Sequence, residues 1–205
     1  MTEPADLDYL NSLYARDSDP WHLRESWYER RKLQLMLACL PRQRYAAAFE
    51  PGCSVGEVTA RLAERCDLVL AADFHADAVT AARKRTAGAA NVEVRQLLLP
   101  RQWPLGTRFD LIVLSEIGYF FRAAAWAELC ARAGDSLADS ATVVACHWRR
   151  DFAERTLPTA ELHAQLGNIL GLPQHTSVTD ADFVIDVWTT SPGSVAETAG
   201  LATET

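Results

Sequence analysis

Between residues 33 and 40 the apolar side chains Leu33, Met36, Leu37 and Leu40 recur at i, i+3, i+4 and i+7, and Pro41 follows. That spacing marks one face of an α-helix, and the proline stops it. Asp19-Pro20-Trp21 reads as the start of the same segment, because proline is pre-set for a first helical turn. Past Pro41 the rhythm changes to short apolar runs at residues 45–49 and 68–72 and to further strand-like segments at 92–98, 109–114, 142–146 and 183–188. Runs of this kind fit strands buried on both faces of a parallel sheet. Helical patterns separate them at 57–65, about 76–85, 126–137 and 162–170. The alternation predicts an α/β fold, a doubly wound, mostly parallel sheet with helices on both faces. Three parts are expected: an N-terminal helical extension over 1–41, the sheet domain over 42–188, and a tail over 189–205. The tail has only Val195 and Leu201 as large aliphatics and is expected to be disordered.

Charge narrows the choice of partners. Twenty basic against 27 acidic side chains leave a net charge of −7 over 205 residues. So acidic a chain is poorly suited to gripping nucleic acid. No apolar run approaches the roughly 18 residues of a membrane span, and the acidic opening MTEPADLDYL predicts no secretory leader. The five cysteines include no C-x-x-C pair, which argues against a disulfide framework and for a reducing cytoplasm. A monomer or homodimer is the expected assembly.

In a doubly wound sheet, ligands bind at the carboxyl ends of the strands. The first strand ends in Glu50-x-Gly52-x-x-x-Gly56 and opens a helix, and Asp73 closes the second. Glycine at 52 lets backbone pass close to a ligand, and glycine at 56 is expected to let the next helix pack tightly on the sheet. A carboxylate after the second strand is placed to accept hydrogen bonds from ribose hydroxyls. Dinucleotide loops space their glycines G-x-G-x-x-G to admit a pyrophosphate. Here the two glycines lie four apart, and an acid two positions before the first would repel a pyrophosphate. The same acid suits an ammonium. S-adenosylmethionine carries an ammonium, a ribose diol and no phosphate, so charge favours it over a nicotinamide dinucleotide.

Glu50-Pro51-Gly52-Cys53-Ser54-Val55-Gly56 resembles the first motif of class I S-adenosylmethionine-dependent methyltransferases, and Asp73 matches their ribose-binding acid. More narrowly, Asp19-Pro20-Trp21, Trp27-Tyr28-Glu29-Arg30-Arg31, Trp103-Pro104, Phe109-Asp110-Leu111, Ser115-Glu116 and His147-Trp148 resemble the nodulation protein S family of small N-methyltransferases. The resemblance spans roughly residues 7–188. It implies a seven-stranded Rossmann-like sheet, S-adenosylmethionine as cofactor, S-adenosylhomocysteine as product and a small-molecule amine as acceptor. It also implies a cofactor site drawn from Glu50, Gly52, Cys53, Gly56, Asp73 and Ser115. Two positions depart from the pattern. Ser54 replaces the usual middle glycine and narrows the methionine site, and Leu98 stands where many relatives hold adenine with an acid. Adenine is then expected against apolar walls, with Phe74 on one face.

If residues 21–31 form one helix, Trp21, Arg24, Tyr28 and Arg31 share a face. Arginine can pair with the cofactor's carboxylate in two parallel bonds, and the aromatics can cover its rings. The segment is thus expected to close as a lid; the alternative is a solvated surface helix. Near the transferring methyl, the strand ends offer Ser115, Glu116 and Tyr119 from the fourth and His147 from the fifth. His147 is a candidate base, since imidazole titrates near neutrality, or else a structural strand-end histidine. Glu116 is a candidate to hold a substrate ammonium or hydroxyl, or else a cap or ion pair. Tyr119, Phe120 and Phe121 form an aromatic wall that tolerates a cation. Trp103, Arg149 and Arg150 are expected to border the acceptor. No metal site is expected, the other histidines being scattered. Transfer to oxygen or carbon, a rearrangement on bound S-adenosylmethionine, and a nicotinamide oxidoreductase remain the alternatives.

Overall fold

The computed structural model describes residues 7–191 and 193–201. Two helices, α1 (Leu7–Arg16) and α2 (Trp27–Ala38), precede an alternating series. It runs β1 (Tyr45–Pro51), α3 (Glu57–Leu62), β2 (Cys66–Asp73), α4 (Ala76–Arg85), β3 (Val92–Gln96) and β4 (Phe109–Ser115). A 3-10 turn (Gly118–Phe120), α5 (Ala123–Asp135), β5 (Leu137–Trp148), α6 (Thr159–Leu170), β6 (Gln174–Thr179) and β7 (Phe183–Thr189) follow. The seven strands form one sheet in the order β3-β2-β1-β4-β5-β7-β6. β1 to β5 pair in parallel, whereas β7 runs antiparallel to both β5 and β6.

Strand periodicity divides the core. Along the buried β4, Ile112 and Leu114 face one side with Phe49, Val143 and Ala145, under Trp126, Leu129, Leu162 and Leu166 of α5 and α6. Leu111 and Val113 face the other side with Ala48, Val69, Val144 and Ile185, under Met36 and Leu40 from α2 and its end. The order reverses between β1 and β4, whose carboxyl ends open a crevice, the usual place for a ligand in such sheets.

Four expectations are corrected. The segment from 21 to 40 is not one helix: His22 takes φ +52°, and α2 begins only at Trp27, with Ser26 Oγ accepting from Glu29 N–H. Asp19 instead accepts from the N–H groups of Leu23 and Arg24 and caps a tight turn. β6 had no counterpart in the apolar runs, and its polar Gln174–Thr179 forms the sheet's exposed edge. Finally, Val195–Thr198 makes one helical turn, α7, closed by a Ser194–Glu197 capping box, where the tail was expected to be disordered; residues 202–205 lie outside the described residues.

Candidate functional site

A cavity of about 700 Å³ opens over the carboxyl ends of β1, β2 and β4. That is within the roughly 300–1,000 Å³ of small-molecule sites. Its floor is the bend after β1. Gly52 takes φ +77°, and a Cβ there would stand 2.3 Å from Ile117 Cγ2, so only glycine fits beneath that side chain. Gly56 takes φ +83°, and a Cβ would meet the Ala82 backbone at 2.9 Å. The close packing that Gly56 permits is therefore against α4, rather than against the sheet. Ser54, in the left-handed region at φ +46°, lines the cavity and donates its N–H to Asp73 at 2.9 Å.

Two carboxylates lie on this floor. Glu50 is held by the Thr59 hydroxyl at 2.6 Å, and burial, with Asp73 nearby, pushes its carboxyl up to about 8. Asp73 accepts from the N–H groups of Ser54 and His75, yet burial still raises its pKa above the ordinary aspartate value. Cys53, Phe74, Leu98 and Ser115 line the same space.

The N-terminal segment forms the roof. Tyr14 of α1 donates its hydroxyl to Ser54 Oγ at 3.0 Å and stacks on His75, with ring centroids 4.5 Å apart. Trp21 packs edge-on against Tyr14, and both line the cavity. Tyr28 lines it too, and its buried hydroxyl lacks a partner among the described residues. The two arginines assigned to the cofactor are elsewhere. Arg24 is exposed on the Asp19 turn, and Arg31 pairs with Asp180 at 2.8 Å and lies over the Phe183 ring. The break before Trp27 takes Arg24 out of the helical register it was expected to share with Tyr28, whereas Arg31, three residues after Tyr28 within α2, is held by Asp180 instead.

The far end is built around Lys32, a buried cation that sequence reasoning missed. Its ammonium lies 2.8 Å from Glu29 and 2.7 Å from Glu116. Burial alone would lower the Lys32 pKa, but Glu116 and Glu29 outweigh it and keep the ammonium charged well above the usual lysine range. Glu116 sits at φ +58°, a costly conformation for glutamate, and also accepts from the Tyr119 hydroxyl and the Trp148 N–H. Burial raises the Glu29 carboxyl despite Lys32. Aromatic walls come from Tyr28, Tyr119, Phe120, Phe121, Trp148 and Phe152. Six carboxylates line the cavity (Glu29, Glu50, Glu57, Asp73, Glu116 and Glu154) against one lysine among the described residues.

His147 is not placed as a base. It is fully buried behind the wall, accepting from the Gly118 N–H at Nε2 (2.9 Å), with Nδ1 2.9 Å from His163 Nε2. Burial, then the neighbouring His163, drives its pKa well below the ordinary value. Trp103, Arg149 and Arg150 also fall outside the cavity. Trp103 packs edge-on to Phe49 in the core, while Arg149 and Arg150 bind the β6–β7 turn at Asp180 and Asp182.

A family profile described as Nodulation protein S (NodS) matches residues 6–139. Nodulation protein S of Bradyrhizobium diazoefficiens is 32% identical over 123 residues, covering 60% of this chain and 58% of that protein. Its counterpart in Rhizobium tropici is 32% identical over 114 residues, covering 54% and 46%. The chain thus spans about half the length of these curated relatives. A crystal structure from Pseudomonas syringae, named as a candidate methyltransferase, is 43% identical with a TM-score of 0.72, covering 80% of this chain and 99% of that one. The N-methyltransferase NodS from Bradyrhizobium japonicum WM9, solved with S-adenosyl-L-homocysteine, shares the fold at a TM-score of 0.75 and 22% identity, covering 90% and 97%.

Proposed function

The chain belongs to the nodulation protein S family, and from that premise we propose that it is an S-adenosylmethionine-dependent methyltransferase acting on a small-molecule amine. The observation that carries this reading is the pair of buried carboxylates, Glu50 and Asp73, on either side of the glycine bend at 52. Both fit the cofactor. A carboxyl raised to about 8 is a receptor for an ammonium, which would draw out its proton. Asp73, oriented by two backbone N–H groups, keeps lone pairs for a diol. The unpartnered Tyr28 hydroxyl is a further group that a ligand would satisfy. Phe74 and Leu98 supply apolar walls for adenine, and Cys53, Ser54 and Ser115 complete the floor, while Gly56, outside the cavity lining, supports the bend by packing on α4. When bound, S-adenosylmethionine supplies a methyl group on a sulfonium, open to in-line displacement.

The charge of the far end supports a cationic acceptor. Glu29 and Glu116 share one Lys32, a net charge of −1 that one ammonium would neutralise. Tyr28, Tyr119, Trp148 and Phe152 offer ring faces to the same cation. An ammonium must lose a proton before nitrogen can attack. Glu29 lines the cavity and is weakened as an acid by burial, which supports its assignment as the carboxylate that takes the proton. Glu116 holds Lys32 and Tyr119 in register, and α1 with Trp21 and Tyr28 acts as the lid that excludes water. A net charge of −7 and an acidic cavity suit a small cation better than a nucleic acid or a membrane surface. Among the described residues no helix is long and apolar enough to cross a membrane. The free cysteines suit a reducing cytoplasm.

Calorimetry with S-adenosylhomocysteine and NAD tests the cofactor, and labelled methyl transfer to matched amine and hydroxyl panels tests the acceptor. Asp73→Ala should weaken S-adenosylhomocysteine by about 1–3 kcal/mol, the scale of lost hydrogen bonds to a charged group. Binding of NAD instead would overturn the cofactor assignment, and transfer to hydroxyls alone would overturn the amine.

A further inference from the structure

Behind the cavity wall runs a line of buried polar groups that the proposed reaction does not use. Asp186 on β7 lies 2.6 Å from His163 Nδ1, and His163 Nε2 on α6 lies 2.9 Å from His147 Nδ1. His147 Nε2 on β5 lies 2.9 Å from the Gly118 nitrogen. Only one arrangement of protons satisfies every link. The Gly118 N–H can only donate, so His147 must present a lone pair at Nε2 and carry its proton on Nδ1. That proton goes to His163 Nε2, so His163 also carries its proton on Nδ1, facing the Asp186 carboxylate. Gln174 Nε2 donates to the other Asp186 oxygen at 2.7 Å, which anchors the chain's far end.

The near end touches the wall of the cavity. A Cβ on Gly118 would stand 2.9 Å from His147 Nε2, 3.1 Å from Leu162 and 3.2 Å from Trp126, so this glycine is seated against the histidine. Its neighbours carry the proposed chemistry. Ile117, one residue before, covers Gly52; Glu116, two before, holds Lys32; Tyr119, one after, donates to Glu116.

We propose that Asp186, His163 and His147 are positioning residues: a tautomer-setting chain that offers a lone pair to Gly118 and so holds the 116–119 turn against both the cofactor bend and the acceptor end. Its importance for transfer rests on the methyltransferase reading; its proton arrangement does not. Burial favours a neutral His147 ring, which packs against Tyr119 from the 3-10 turn, Trp126 from α5 and His163 from α6; His163 and the cations of Lys32 from α2 and Arg155 from the loop before α6 act in the same direction.

Nitrogen NMR of the ¹⁵N-histidine-labelled full chain reads the tautomers directly. The expected result is Nδ1–H for both His147 and His163, with His147 unchanged between pH 5 and pH 8. An Nε2–H signal for His147, or its titration in that interval, overturns the proposal whether or not any cofactor binds. His147→Phe removes the acceptor and should speed hydrogen exchange of the Gly118 amide at least tenfold while loosening S-adenosylhomocysteine at least tenfold. His147→Gln, which returns a carbonyl acceptor, should recover both to within about threefold. Unchanged Gly118 exchange in the phenylalanine variant, or equal losses in both variants, would reduce His147 to a core residue. If the phenylalanine variant does not fold, the tautomers and the glutamine variant decide. If the unmodified chain does not bind S-adenosylhomocysteine, the cofactor reading fails and the chain is judged on tautomer and exchange alone.

Discussion

Replacing Lys32 by methionine keeps the volume of the side chain and deletes its charge. The side chain is only 7% exposed and its ammonium lies within 2.8 Å of both Glu29 and Glu116, so its loss leaves two largely buried carboxylates without their shared cation. Breaking a buried pair in this way costs roughly 3–5 kcal/mol when the remaining charge stays ionised. Protonation limits that loss. Putting a proton on a carboxyl of ordinary pKa near 4.3 costs about 1.4 kcal/mol per pH unit, or about 4 kcal/mol at pH 7. The pair should therefore give up stability only until one proton is bound. Its folded-state pKa then lies above the unfolded value, so the deficit grows with pH and shrinks on acidification. Lys32→Met should lose about 3–4 kcal/mol at pH 7 and only about 1 kcal/mol at pH 5. Urea unfolding of both proteins at both pH values measures this, and Lys32→Met with Glu116→Gln should recover most of the loss. A deficit below about 1 kcal/mol at pH 7, or one equal at both pH values, would refute the buried charge cluster and with it the case for a cationic acceptor.

Glu50, raised to about 8, stays protonated in the folded chain where an unfolded carboxyl has ionised. Stability should therefore fall by about 1.4 kcal/mol per pH unit from this group as pH rises from about 5 to about 8, and Glu50→Gln should flatten that slope in urea titrations. At pH 7 the binding of S-adenosylhomocysteine should release close to one proton, read by calorimetry in buffers of different ionisation enthalpy, and the glutamine variant should release none. Gly56→Ala combines a left-handed φ with a 2.9 Å clash on the Ala82 backbone and should cost about 2–5 kcal/mol, whereas Gly88→Ala, which meets no atom within 4 Å, should cost no more than about 1 kcal/mol. Tyr14→Phe removes the bond to Ser54 and should weaken closure by about 1 kcal/mol, seen as roughly fivefold faster proteolysis near Arg24 without ligand; an unchanged rate would remove α1 from the lid.

The sheet was readable because its inner strands are apolar on both faces: the 109–114 run reappears as part of β4, fully buried. β6 escaped because an edge strand of Gln, His, Thr and Ser carries no apolar run, and its pairing with β7 decides its state. The role of Tyr14 on α1 escaped for a different reason. Leu10 and Tyr14 do stand at i and i+4, but what gives Tyr14 its place is Ser54, forty residues away. Glu50, Gly52 and Asp73 meet as their spacing implied, since a short strand-to-helix turn is local. Arg24 does not join them, because the positive φ at His22 ends the helical register it was expected to share with Tyr28, and Arg31 does not because it pairs with Asp180. Lys32 ran against the rule that lysine avoids the interior, and only its two partners, one of them far along the chain, explain the exception. His163 looked scattered and His147 looked like a lone candidate base because they belong to a helix and a strand that become neighbours only in three dimensions.

The bond from Arg31 to Asp180 spans 149 positions and fastens the roof of the cavity to the final hairpin. Asp180 lies beyond residue 139, where the family match stops, as do the histidines that back the cavity wall. The part of the molecule that the profile matches is therefore buttressed by residues beyond the match. A chimera that exchanges the first forty residues with a relative, in search of a new acceptor range, would have to bring along a matching hairpin or lose the strut that keeps the imported roof at its proper height.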